Sequence, residues 1–324
     1  VRSASLDFGA VVNALQSSHG NSWAQFNIKA TNGFNLDVLD IIETKDQTYP
    51  YLSVSHSYAY PQPGGCVNLA WSNDLKNWNW IRALDCNNSS QATIRKLIDG
   101  SYLLAYEYNP QSNGAYVKVR YYSDIGSLLV NSYSNESFAP RTPGALNDGT
   151  PSFRQINYQS GGFSALQFEM PHHFCAASSC IDQEGFTTWN WPNTDPGPWN
   201  LNNNWMNSVI PVNPLIKGLG ANGNIGGRDS FEIGGHRYFI VEGQAVPNDW
   251  SSWSLYLIQE DTRQIVKLNI QTPSGSRSMG NPKISFITLP SGQAALVGST
   301  FIFSEQPGGT ASDAGSHLFV YPFN

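Results

Sequence analysis

Five times along this chain an ionisable residue opens a strand-turn-strand unit, and the spacing of those openings restricts the fold more than any other feature. Four units open on a cation, Arg95, Arg154, Arg228 and, in a weaker copy, Lys283; the first, Leu39-Asp40-Ile-Ile, has an acid in that place. In the three arginine units a glutamate follows 12 to 15 residues later, as Glu107, Glu169 and Glu242. The openings at 40, 95, 154, 228 and 283 lie 55, 59, 74 and 55 residues apart, and internal periods of that size belong to arrays and propellers. Five units account for the whole chain, which predicts a single all-β domain over 1–324, a five-bladed β-propeller.

In a propeller blade the first strand lines the central channel and the second returns antiparallel beside it. The start of one and the end of the other therefore meet at one rim. Each Arg is expected beside its own Glu, and several cations and carboxylates are expected in one partly dehydrated funnel, where pKa values are pushed apart.

Composition agrees with many short strands. Only 13% of the 324 residues are charged, while 29 Gly, 19 Pro, 10 Trp, 15 Tyr and 16 Phe combine turn formers with large aromatics, a mixture unlike that of long helices or coiled coils. No run of about 18 apolar residues occurs, so no membrane-spanning helix is expected. A net charge of −6 gives no long-range attraction to nucleic acid or anionic membranes. The N-terminal Val-Arg-Ser-Ala-Ser-Leu-Asp-Phe is not a signal peptide, although it is what removal of one would leave. Cys66 and Cys86 flank the turn at Asp74-Leu-Lys-Asn77 almost symmetrically, and Cys175 and Cys180 close a small loop. Both pairs are expected to be bridged, which implies an oxidising compartment and secretion; Asn87, Asn88 and Asn135 head N-x-Ser sequons.

Short alternating runs broken by Gly, Pro and Asn, such as Tyr51-Leu-Ser-Val-Ser-His56 and Trp253-Ser-Leu-Tyr-Leu-Ile258, are the strand signal. The segment Trp23-Ala-Gln-Phe-Asn-Ile28 is expected to pair with the last blade and close the ring, since an open edge invites aggregation. Residues 171–227 read as a long inserted loop carrying His172, His173, Trp189 and Trp191. Connections of that length are usually functional, and an aromatic wall beside a polar funnel suits sugar rings, whose C–H faces stack while their hydroxyls take hydrogen bonds.

Two motifs carry a family resemblance. Ser72-Asn-Asp-Leu-Lys-Asn-Trp78 resembles the Ser-x-Asp-Leu-x-x-Trp turn of five-bladed propeller glycoside hydrolases of the family 43 and family 32 type, a relative of the sialidase Asp-box. The resemblance implies an outer-strand hairpin without a catalytic part. Tyr238-Phe-Ile-Val-Glu242-Gly-Gln resembles the family 43 segment in which an aromatic strand ends in Glu-Gly, which implies Glu242 as general acid. The early Asp-Pro element that carries the family's general base is absent, Asp40 lying in Leu-Asp-Ile-Ile instead. The arginine-rich openings are closer to the arginine cluster with which sialidases hold a carboxylate.

Cleaving a glycosidic bond needs one carboxyl kept protonated for the leaving oxygen and a second kept ionised. Glu242 is the expected acid; Asp40 or Asp229 is the expected second carboxylate, with Arg228 able to depress the Asp229 pKa or to bind substrate. Arg95, Arg154 and Arg228 together would hold a carboxylate by forked hydrogen bonds, with Glu169, His172, His173, Trp189 and Trp191 completing the substrate contacts. The resulting reading is an exo-acting glycoside hydrolase of plant or microbial polysaccharide, with a uronate-type sugar in the substrate, acting as a monomer. A uronate lyase with a His base and a non-catalytic sugar-binding propeller are the alternatives. No cofactor is expected; rim Asp and Asn side chains could hold Ca²⁺, but no ligand spacing demands it.

Overall fold

The computed structural model describes residues 7–17, 23–58, 64–110, 114–139, 141–142, 144–158, 166–176, 181–190, 212–304 and 313–323; within these, the side chains of 176, 186–190 and 228 are outside the description. The chain is a five-bladed β-propeller. Blade I comprises Asp37–Glu43, Tyr51–Ser57, Cys66–Ser72 and Asn79–Asp85; blade II comprises Ser89–Lys96, Tyr102–Tyr108, Tyr116–Tyr122 and Asn135–Phe138. In blade III the innermost position is shared by two short strands, Ala145–Gly149 and Gln155–Tyr158, both paired with Leu166–Ala176, which in turn pairs with Asp182–Asn190. Blade IV runs through Ile225–Ile233, His236–Gln244, Trp253–Gln259 and Ile265–Lys267. Blade V is built from Met279–Thr288, Ala294–Ile302 and Gly315–Pro322, and its outermost strand is Gln25–Phe26 from the N-terminal segment. That pairing closes the ring from both ends of the chain, as the sequence predicts.

Stretch 171–227 is therefore largely framework. It holds the second and third strands of blade III, the helix Val212–Gly218 and the start of blade IV; 191–211, with Trp191, lie outside the described residues.

Neighbouring blades are held by wedge-shaped apolar cores. Leu104 and Tyr106 of blade II pack with Leu52 and Val54 of blade I, and Ile240 and Leu257 of blade IV pack with Ile284 and Leu296 of blade V. Burying such a side chain contributes about 1.5–3 kcal/mol, so these interfaces outweigh any single polar contact. The Ser72–Trp78 turn is structural, as its motif implies. Ser72 Oγ accepts from Leu75 N–H at 2.9 Å, Asp74 Oδ1 accepts from Lys76 and Asn77 N–H at 2.8 Å each, and Trp78 is fully buried. Cys66 and Cys86 are bridged across the same hairpin; Cys180 lies outside the described residues. Among the described residues no helix is long and apolar enough to cross a membrane.

Every innermost strand breaks register near its start, between Asp37 and Asp40, Ser90 and Thr93, Gly226 and Arg228, and Gly280 and Lys283, and in blade III between its two short strands. In four blades the break contains a left-handed residue, Val38 (φ 56), Gln91 (φ 52), Thr150 (φ 45) or Asn281 (φ 49). A bulge of this kind re-aims the side chains that follow it. The residue two positions on is Asp40, Thr93, Ser152 or Lys283, and Asp229 is its counterpart in blade IV. All five are at most 1% exposed. This ring corrects the repeat read from sequence: Thr93, Ser152 and Asp229, not Arg95, Arg154 and Arg228, stand level with Asp40 and Lys283 after the register break.

The ring is stitched by charge. Arg95 reaches across it, Nη1 to Asp40 Oδ2 at 2.9 Å and Nη2 to Asp229 Oδ1 at 2.7 Å. Asp40 Oδ2 also accepts from Thr93 Oγ1 (2.7 Å) and Ile94 N–H (2.9 Å), while Asp229 Oδ2 accepts from Ile284 N–H (2.9 Å). Lys283 Nζ donates to the Pro151 carbonyl at 3.3 Å. Burial works against the Arg95 charge, but Asp40 and Asp229 hold its pKa above the usual value. Burial pushes Asp229 up against the pull of Arg95, and pushes Lys283 down against Asp229 and Asp40. Two acids and two bases balance.

Removing one member of a buried ion cluster strands its partners. Arg95→Met should lower unfolding free energy by about 3–5 kcal/mol in chemical denaturation. Combining it with Asp229→Asn should restore part of that loss, because the surplus charge is then gone; a double variant as unstable as the two losses added would contradict this charge balance.

Candidate active site

The ion cluster divides the channel in two. Toward the starts of the innermost strands the channel opens on the upper mouth, bordered by Asp37, Ser90, Thr150, Gly226 and Asn281. Toward their ends it opens on a cavity of about 500 Å³ lined by Glu43, Arg95, Arg154, Glu232 and Arg237 among others.

Glu242 belongs to the upper mouth. It ends the second strand of blade IV opposite Gly226, is 5% exposed, and its Oε2 accepts from Asn281 N–H of blade V. Burial pushes its carboxyl up to about 7; the Asn281 N–H and His173 oppose the rise, and Asp182 adds to it. Glu107 ends the second strand of blade II opposite Ser90, and burial raises its pKa as well, against the pull of His173.

His173 projects from the second strand of blade III between these two glutamates. Glycine is required on both sides of it. A Cβ on Gly149 would overlap the Glu107 carboxylate and lie 3.0 Å from His173 Nε2, while a Cβ on Gly226 would lie 2.9 Å from Glu242 Oε1 and 3.4 Å from His173 Nδ1. The inner strands thus give up side chains so that acids from the second strands reach the axis. Thr150 Oγ1 fixes the His173 ring by a hydrogen bond to Nδ1.

Asp37 starts the innermost strand of blade I, three residues above Asp40, and burial pushes its carboxyl up to about 6. Its cross-strand partner is His56. That imidazole is 3% exposed, and burial and the Lys283 charge push it down to about 4. Tyr58, at the mouth beyond His56, sets its ring edge-on to the imidazole at 5.3 Å.

Of the residues singled out from sequence, Glu242 and His173 meet at this mouth. Asp40 and Asp229 do not join them: both are fully buried in the ion cluster beneath, bound to Arg95. Arg95 and Arg154 line the lower cavity instead of the upper mouth, and each is already paired with carboxylates. Arg95 is committed to the cluster, and Arg154 bonds Glu169 and Glu260 on the lower side. The side chains of Arg228 and Trp189 fall outside the described residues, as does all of Trp191. His172 points the other way from its neighbour, because alternate residues of a strand face opposite sides. It is 2% exposed, with Nε2 3.1 Å from Thr142 Oγ1 and 3.9 Å from Asp148 Oδ1, and burial pushes its pKa down to about 3.

Asp37 and Tyr58 escape the sequence reading, and Glu107, read there only as a repeat glutamate, was given no role in the site. The available signal was an acid at the start of the first inner strand and one at the end of the second strand of blade II, the same places that mark the mouth in the finished ring. Among the described residues no group of three or more His, Cys, Asp or Glu side chains is arranged to hold a metal ion.

No protein-family model matches the chain, and no curated protein matches it in sequence. Solved structures do match in fold. A thermostable family-43 glycoside hydrolase superposes with a TM-score of 0.53 at 10% identity, over 89% of this chain and 88% of that one. The α-L-arabinofuranosidase from Lactobacillus brevis gives 0.54 at 11% identity, over 89% and 90%. The endo-arabinase from Bacteroides thetaiotaomicron VPI-5482 gives 0.52 at 9%, over 93% and 98%. At such identities the likeness is one of fold, and the fold is the five-bladed propeller of family-43 glycoside hydrolases.

Proposed function

We propose that this chain is a secreted, exo-acting glycoside hydrolase of plant or microbial polysaccharide, with its reaction at the upper mouth. The observation that carries this reading is a buried acid, Glu242, whose carboxyl holds its proton to about pH 7, at the same mouth as a second carboxyl, Asp37, that ionises near pH 6. Glycoside hydrolysis needs that division: Glu242 gives its proton to the leaving oxygen while ionised Asp37 serves as the second carboxylate. Asp37 replaces Asp40 and Asp229 in that role, since those two are sealed beneath. The solved structures of similar fold support the class: they include a family-43 glycoside hydrolase, an α-L-arabinofuranosidase and an endo-arabinase.

The Cys66–Cys86 bridge supports secretion. A uronate in the substrate loses its motive, because Arg95 and Arg154 are already bound to carboxylates. The lyase reading loses ground with it, as elimination needs a cation on the substrate carboxylate.

Incubation with neutral arabino- and xylo-oligosaccharides, following new reducing ends, tests the class. Glu242→Gln should cut turnover by at least about 100-fold, within the range of general acid catalysis, while retaining sugar binding; unchanged turnover removes Glu242 from the acid role. Absence of any product from the parent protein, with binding retained, would favour the non-catalytic propeller.

The pH profile should be bell-shaped, losing rate below about 6 as Asp37 gains a proton and above about 7 as Glu242 loses one. Stability carries the same signature. Both groups have folded pKa values raised above their ordinary 3.8 and 4.5, so their contribution is fully present below those values and is lost as pH rises through about 6 and about 7. Denaturation midpoints of the parent should fall across that window, and Glu242→Gln should fall less; parallel curves would contradict the assignment.

A further inference from the structure

Beside the upper mouth an open cleft of about 540 Å³ runs between blade V, the start of blade I and the N-terminal segment. Trp250, Phe301 and Phe303 give it an aromatic wall, Asn27 and Asn35 supply amides, and Asp37 also lines it. Among its described lining residues there is no lysine or arginine.

Trp250 is 52% exposed yet held in place. Asp249 caps the short 3-10 turn Trp250–Ser252 by accepting from Ser251 N–H at 2.9 Å, and the Trp250 carbonyl accepts from the Ser278 hydroxyl at 2.8 Å. Its ring lies 5.3 Å from that of Phe303, which stacks on the buried Trp253 at 5.9 Å and 24°. Glu242 does not line the cleft, but it lies close behind the aromatic wall. A Cβ on Gly280 would lie 2.9 Å from the Phe303 ring and would collide with the Glu242 carboxylate, so only this glycine separates the aromatic wall from Glu242.

We infer that this cleft is a second sugar subsite: it binds the part of a neutral glycan that extends from the mouth, one ring stacked on Trp250 and its hydroxyls met by Asn27 and Asn35. A rigid, half-exposed indole backed by buried rings offers a flat apolar face, and carboxamides beside it offer both donors and acceptors, which is the pairing a sugar ring requires. An anionic sugar is disfavoured, since ionised Asp37 stands in the cleft without a cation to offset it. Asn27 directly follows the ring-closing strand Gln25–Phe26 and Asn35 stands two residues before blade I, so a bound glycan also ties that segment to blade V and stabilises the closed ring. The inference rests on the reading of the mouth as a glycosidase site, and the following experiment separates the two.

Calorimetry on the Glu242→Gln protein, which would not consume its ligand, uses three probes: linear α-1,5-arabinotetraose, β-1,4-xylotetraose and trigalacturonate. One of the neutral probes should bind and raise the melting temperature. Adding Trp250→Ala should weaken that binding about tenfold, near the upper end of a single aromatic stack, whereas Phe286→Ala, exposed at the opposite end of the channel, should bind as the parent does. The subsite is overturned if Trp250→Ala binds as tightly as its parent, if neither neutral probe binds, or if trigalacturonate binds as tightly as the neutral probe. Trp250-dependent binding in a protein that yields no product would keep the subsite and defeat the hydrolase reading; product formation with KM unmoved by Trp250→Ala would do the reverse.

Discussion

One arginine in the middle of the channel decides what the rest of the molecule is able to be. Arg95 spans the axis from blade II to acids on blades I and IV, while Lys283 of blade V reaches the backbone of blade III. Apolar wedges join blades I and II, II and III, IV and V, and V and I, and this cluster links all five at the centre. Its members have given up water, so their attraction offsets their desolvation instead of adding greatly to stability. What they supply is definition. Because this cluster crosses the axis, the mouth above it and the cavity below it are separate.

The mouth is furnished in an unusual way. Innermost strands ordinarily present side chains to a propeller axis, but Gly149, Gly226 and Gly280 present none at this level. Their place is taken by Glu107, His173 and Glu242 from the second strands, which reach over the bare backbone. Such side chains are walled by backbone instead of water, and burial rather than a neighbouring charge is the leading cause of the raised Glu242 and Glu107 pKa values. The same bare stretch at Gly280 lets the aromatic wall around Phe303 come up to Glu242, so the missing side chains leave room both for a buried carboxyl of raised pKa and for an apolar surface beside it.

The chain's two ends contribute to the same region. Gln25–Phe26 completes blade V, and Asn27 and Asn35, which follow it, line the cleft at its margin. Ring closure and the proposed sugar contacts therefore depend on one segment, which couples ligand binding to the integrity of the fold.

Much of the architecture was legible in the sequence. The repeat period announced five blades, the Ser72–Trp78 turn and the cysteine spacing placed the outer hairpin of blade I, because strand periodicity and turn chemistry are local or nearly so, and the need to cover an open edge pointed to 23–28 as the closing strand. The place of Glu242 at the channel's upper end was legible as well, from its position near the end of an aromatic strand. The sequence could not separate residues that feed the mouth from those that plug the channel. Asp37 and Asp40 are three residues apart, and only a bulge with Val38 in a left-handed conformation sends one to the rim and the other into the ion cluster. Arg95 looked like a ligand for substrate until the closed ring brought Asp229, 134 residues away, within 2.7 Å of it. Local pattern fixed which strands form; long-range closure decided which charges neutralise one another and which are left facing the solvent.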